Sequence, residues 1–168
     1  TAPGQLFIDG HDIRDYPLAQ LRTQIAQVLQ DPFLFGEPLR ENISYDDPDR
    51  ALEVIWDSAD AAALRPTILE FRDQMETIVG ERGVTLSGGQ KQRTTLARGL
   101  IRNAPVLILD DCFSSVDTET EEHILGRLKA MRGGATTILV SHRVSTLRHA
   151  DRIVLLDEGR VAEVGTHD

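Results

Sequence analysis

Two neighbouring carboxylates, Asp110 and Asp111, close an unbroken apolar run, Val106-Leu107-Ile108-Leu109. Upstream stands Leu86-Ser87-Gly88-Gly89-Gln90, followed by Leu96, Ala97, Leu100 and Ile101 as one apolar stripe at helical spacing. Ser87 with Gln90 three residues later is a capping-box pattern, so a helix begins here. Gly88 and Gly89 leave its first turn bare, and another molecule can come close to the backbone. The unpaired N–H groups of that turn, with the positive end of the helix dipole, suit a phosphate. Four apolar residues without alternation suit a strand buried on both faces, as in a parallel sheet. Ligands of open α/β sheets collect beyond the carboxyl ends of the strands, where a carboxylate can hold Mg²⁺ through a phosphate-rich ligand. The chemistry within reach is therefore binding and attack at phosphate.

Taken together, these motifs resemble the ATP-binding cassette (ABC) family. Leu-Ser-Gly-Gly-Gln resembles its signature sequence, and the apolar strand ending in Asp110 its Walker B strand. Ser-Ser-Val-Asp at 114–117 resembles the D-loop, and Ser141-His142, after the expected strand Thr136–Val140, resembles the switch histidine. Gln30, within Val-Leu-Gln-Asp-Pro-Phe-Leu-Phe, resembles the Q-loop. Each motif alone is weak. Five in the family's order, covering residues from about 5 to the end, are specific.

Composition sets outer bounds. The 168 residues, 40% hydrophobic, can bury one modest core. Net charge is −9, and the 18 basic residues form no block of the kind that tracks a nucleic-acid backbone. No nucleic-acid partner is expected. The single cysteine, Cys112, beside a predicted strand, reads as a core thiol in a cytosolic setting. The longest apolar runs fall far short of the roughly 20 residues that cross a bilayer. Any membrane association must come through a partner or another segment.

The elements that would position the motifs follow from local pattern. Residues 5–8 and 11–13 flank Asp9-Gly10, a hairpin-turn signal. A short helical patch leads to a strand at 25–29, stopped by Gln30-Asp31-Pro32. From 37 to about 75 the apolar spacing is helical, and 79–83 is a glycine-bounded loop. Residues 121–131 read as an amphipathic helix closed by Gly133-Gly134. Thr136–Val140 reads as a buried strand. A short helix at 144–149 and a hairpin of 153–156 with 160–164 complete the chain.

The fold expectation is α/β: a P-loop NTPase-like, ABC ATPase parallel-sheet core with an inserted α-helical subdomain. It divides as 1–36 (β subdomain and core to the Q-loop), 37–102 (helical subdomain with the signature) and 103–168 (RecA-like core with Walker B, D-loop and switch His). Glu81-Arg82-Gly83 matches an element that exporter-type cassettes carry just before the signature, which favours an exporter. ATP binding in this class needs Gly-x-x-x-x-Gly-Lys-Ser/Thr, and the sequence has no Gly-Lys dipeptide. The family places that loop shortly before the first residue here. The resemblance thus implies an N-terminally truncated domain, without a central strand and helix, that binds nucleotide poorly alone.

By resemblance, Ser87, Gly88, Gly89 and Gln90 touch the γ-phosphate of an ATP held by a second ABC cassette, and Asp117 contacts that cassette. Asp110 and Gln30 serve Mg²⁺, Gln30 and His142 serve the reacting phosphate and water, and Asp111 stands where the family has its catalytic base. That base is usually Glu; Asp is one methylene shorter, so a slow or degenerate site is expected. The change resembles one half of heterodimeric exporters, and a heterodimer is favoured over a homodimer. Phe33 and Phe35 lie where exporters meet the coupling helices of the transmembrane domain, on the cytoplasmic face of the cell membrane. His11, His123, His149 and His167 have no metal-ligand spacing. Two other readings stay open: a soluble ABC ATPase acting on DNA or ribosomes, and a non-hydrolysing regulatory fragment. The upstream sequence discriminates them, since transmembrane segments followed by a P-loop belong to the exporter alone.

Overall fold

In the computed structural model, which describes residues 2, 4–80 and 83–167, the run at 106–109 becomes the middle strand of a parallel sheet. The chain first makes a small hairpin of β1 (Phe7–Ile8) and β2 (His11–Asp12). Its turn places Asp9 and Gly10 at φ 48° and 79°, the left-handed pair that the Asp-Gly signal requires. Helix α1 (Leu18–Gln24) then feeds β3 (Ile25–Val28). Three short helices follow, α2 (Leu39–Ile43), α3 (Leu52–Ala61) and α4 (Arg65–Glu70), before the long α5 (Gly88–Leu100). Next come β4 (Val106–Asp110), α6 (Thr118–Met131), β5 (Thr136–Val140) and α7 (Val144–Leu147). The hairpin of β6 (Ile153–Asp157) and β7 (Arg160–Gly165) closes the chain.

Strands β3, β4 and β5 pair in that order, all parallel, with Val28 opposite Leu109 and Asp110 opposite Val140. Parallel neighbours need crossovers, and helices supply them: α2 to α5 between β3 and β4, and α6 between β4 and β5. Two candidate roles of the chain depart from expectation here. Strand β4 alternates, with Leu107 and Leu109 fully buried and Val106 and Ile108 only partly. Strand β5, expected to be buried, is open: Ile138 is 46% exposed and Val140 49%. It has a paired neighbour on one side only, and among the described residues no element covers its outer face. Beyond Ile153 the β6–β7 hairpin is exposed, with Leu156 at 69%. Apolar composition marks these residues as strand, but composition carries no information on what packs against them.

The core lies instead between the sheet, α5 and the short helices. Leu96 and Ala97 of α5 bury with Val28, Leu39, Ile43 and Leu107. Gly99 is where α5 touches the sheet. A Cβ built there would sit 2.5 Å from Val28 Cγ2, a stiff β-branched contact. Gly99→Ala should therefore destabilise, although Ala is the better helix former by about 1 kcal/mol. Overpacking costs about 1–3 kcal/mol, so the net loss should be about 1 kcal/mol, read as a lower urea midpoint at unchanged slope. A higher midpoint would mean that α5 moves off Val28 at no cost. Cys112 is buried just beyond β4, and burial pushes its thiol up to about 12, as suits a core cysteine.

Candidate functional site

Three of the motifs leave the sheet at one edge. Gln30 follows β3 by two residues, Asp110 ends β4 and Asp111 follows it, and Ser141-His142 follows β5 directly. Because the three strands are parallel neighbours, these ends lie side by side. Two bonds tie them. Asp111 N–H donates to the Val140 carbonyl at 2.8 Å, and Gln30 Nε2 donates to Asp111 Oδ2 at 3.4 Å. Asp111 holds φ 44°, a left-handed conformation that Asp tolerates better than most side chains. His142 is exposed, while Asp110 and Asp111 are half-buried.

The segment after Gln30 is braced from α5. Half-buried Arg98 donates to the carbonyls of Asn42 (2.6 Å) and Phe33 (2.9 Å) and to Asn42 Oδ1 (3.0 Å). Burial lowers the Arg98 pKa, and these three acceptors offset that cost. Asn42, fully buried, accepts from Phe35 N–H and donates to the Phe35 and Glu37 carbonyls. Phe33 is left 65% exposed, packed edge-to-face on Phe35, which stacks on Tyr45. With Leu86 and Lys91, Phe33 and Phe35 line a groove of about 660 Å³.

The start of α5 has the expected geometry. Gln90 N–H donates to Ser87 Oγ, and Ser87 N–H donates to Gln90 Oε1, completing the capping box. The side chains thus satisfy two donors of the turn, and Gly88 and Gly89, without side chains, let it lie against Ser115. Ser87, Gly88, Gly89, Arg93, Ser115 and Asp117 line a pocket of about 460 Å³. The signature and D-loop residues, 25 or more positions apart, therefore share one pocket. Asp117 caps α6, its Oδ1 accepting from Thr120 N–H at 2.9 Å, and this bond holds its carboxyl below the ordinary range. Glu81 and Arg82 lie outside the described residues.

One brace was not foreseen from sequence. Buried Gln92 donates from Nε2 to Ser114 Oγ (2.7 Å) and accepts the Ser115 N–H at Oε1 (2.8 Å). It fastens the signature helix to the D-loop. The available signal was a polar residue on the buried side of α5, one turn before Leu96.

The donor set fits a Mg²⁺ shared with phosphate. Asp110, Asp111 and Gln30 offer hard oxygen donors at one edge, yet no cluster of three or more His, Cys, Asp or Glu among the described residues could hold a metal alone. Mg²⁺ commonly takes one or two carboxylates and fills its shell with phosphate and water. No helix among the described residues is long and apolar enough to cross a membrane.

The chain is similar to several known proteins. A family model described as ABC transporter matches residues 1–114. The ATP-binding/permease protein YgaD of Bacillus subtilis (strain 168) is 50% identical over 98% of this chain. The ATP-dependent lipid A-core flippase of Syntrophus aciditrophicus (strain SB) is 44% identical over 98%. A solved bacterial Atm1-family ABC exporter with ATP bound superposes with a TM-score of 0.91, at 40% identity and over 96% of this chain. The chain spans 28% of the length of each of these proteins.

Proposed function

The chain belongs to the ABC transporter family, and from that premise we propose that it is the nucleotide-binding cassette of an ATP-driven exporter. Two cassettes close on ATP, and closure drives transport by an attached transmembrane domain at the cytoplasmic face of the membrane. The division at 37–102 and 103–168 separates the signature-bearing helical part from the Walker B core.

The carrying observation is the meeting of Gln30, Asp110-Asp111 and Ser141-His142 at one sheet edge. In this reading Asp110 and Gln30 would hold Mg²⁺, which would supply positive charge against the phosphates. Asp111 accepts the proton of the attacking water, and His142 donates to the γ-phosphate. Ser87 and Gln90 cap the turn, and between them Gly88 and Gly89 present bare N–H groups to the ATP of the second cassette, with Asp117 beside them. Electrostatic stabilisation and positioning supply most of the rate in phosphoryl transfer. No Gly-Lys dipeptide stands in this sequence to reach the terminal phosphates, and the open edge of β5 leaves room for another strand beside the site.

Asp111 in place of Glu supports a slow site, and a heterodimer whose partner hydrolyses faster. The intact Ser87-Gly88-Gly89-Gln90 would then complete the partner's site. The groove beside Phe33 and Phe35 supports docking of coupling helices. The test is turnover and cassette pairing of the full-length protein in lipid. ATP-dependent cross-linking between cassettes is expected, with slow hydrolysis when this subunit is alone. No pairing with ATP would refute the exporter reading, and brisk turnover by a homodimer would refute the heterodimer.

A further inference from the structure

Glu121 is the most deeply buried charged side chain among the described residues, 1% exposed, and neither the motifs nor the proposed mechanism uses it. It sits in the first turn of α6, on the same face as Ile124, Leu125 and Leu128. A lone carboxylate there would be costly, and it is not alone. Its Oε2 accepts from Arg143 Nη1 at 2.6 Å, and its Oε1 accepts from the Thr146 hydroxyl. Thr146 Oγ1, fully buried, in turn accepts from Ser141 Oγ at 3.2 Å. Ser141 Oγ also accepts the Arg143 N–H at 3.0 Å. Both residues that flank His142 are thus tied to one buried carboxylate.

Arg143 makes a second connection. The same guanidinium donates to the Val116 carbonyl at 2.9 Å and the Ser114 carbonyl at 3.2 Å. These are the D-loop carbonyls on either side of Ser115, whose N–H is held by Gln92. A planar fork reaches a carboxylate and two carbonyls from two separate nitrogens in fixed directions, whereas an ammonium has a single nitrogen to span the same acceptors. The His142 turn and the D-loop are therefore one braced unit centred on Glu121.

We propose that Glu121 and Arg143 are positioning residues that set where His142 stands by locking its turn to the D-loop. The inference rests on the reading that His142 serves ATP hydrolysis. It makes the switch histidine respond to the D-loop, the segment placed against the second cassette. Cassette pairing and His142 alignment would then be a single event.

The test uses the full-length protein in lipid with two variants. Glu121→Gln keeps the shape and removes the charge. Arg143→Lys keeps a cation facing Glu121, so it folds even where Glu121→Gln does not, but loses the fork. Each is expected to lower kcat about tenfold while KM for ATP shifts by less than about threefold, because positioning acts on the reacting step. In a His142→Ala background Glu121→Gln should change kcat by less than about twofold, since groups acting as a unit are not additive. Wild-type kcat in the variants that fold, or losses that multiply with that of His142→Ala, would overturn the proposal. Hydrogen exchange decides it even for a protein without turnover. Arg143→Lys should speed exchange at the Arg143 and Val116 amides, and unchanged protection there overturns the proposal whatever the ATPase reading.

Discussion

Replacing Asp111 by Glu should raise kcat for ATP about 10- to 100-fold in the full-length protein, with KM nearly unchanged. The backbone fixes the argument. Asp111 stands one residue beyond β4, anchored by its own N–H to the Val140 carbonyl at 2.8 Å, so its Cα cannot advance toward a substrate. Its carboxylate instead leans on Gln30 Nε2 at 3.4 Å, a long contact. Only added side-chain length can extend the reach of the base. Misplacement by about 1 Å costs about 100-fold in rate, close to the change one methylene makes. The same substitution should slightly destabilise the fold. Asp111 holds φ 44°, and Glu is less tolerant of that conformation than Asp. Faster turnover with a lower Tm is the expected joint result. Turnover that is unchanged or slower, at wild-type nucleotide affinity, would remove Asp111 from the role of base.

That coupling of φ to side-chain choice was hidden in the sequence, and the reason is general. What neighbouring residues decide was legible: the capping box of Ser87 and Gln90, the Asp9-Gly10 turn, the strand ending at Asp110. The order of motifs also placed Gln30, Asp110 and His142 on strand ends, which a parallel sheet then had to bring together. What distant residues decide was not. Ile138 and Val140 read as core because they are apolar, yet burial depends on what lies across β5. Glu121 shares the spacing of Ile124, Leu125 and Leu128, and a charge in such a stripe is a signal of a buried partner. Its partner Arg143 lies 22 residues away, beyond the range of any local pattern. Gln92 likewise meets Ser114 and Ser115 across 22 and 23 residues. Asp117 was read only as a contact to a second cassette; it also caps α6 through the Thr120 N–H, and it lines the pocket beside the signature.

The second large effect separates two adjacent glycines that the sequence treats alike. A Cβ on Gly89 would stand 2.6 Å from the Ser115 carbonyl oxygen, a backbone atom. That carbonyl has little freedom to retreat. The Ser115 N–H is bound to Gln92, and the carbonyls on both sides are bound to Arg143. Gly89→Ala must therefore push the start of α5 away from the D-loop and open the pocket that Ser87, Ser115 and Asp117 share. A Cβ on Gly88 meets only Ser115 side-chain atoms, Oγ at 3.2 Å and Cβ at 3.3 Å, and a hydroxyl can change rotamer at small cost. ATP-dependent cross-linking between cassettes and ATP turnover should both fall about 100-fold or more in Gly89→Ala, a loss of the size expected when several phosphate-facing donors are displaced together. Gly88→Ala should lose about tenfold or less by the same measures. Equal losses in the two variants would mean that bare backbone, rather than the fit against Ser115, is what the first turn of α5 requires. A silent Gly89→Ala would mean that this helix start does not meet the nucleotide at all.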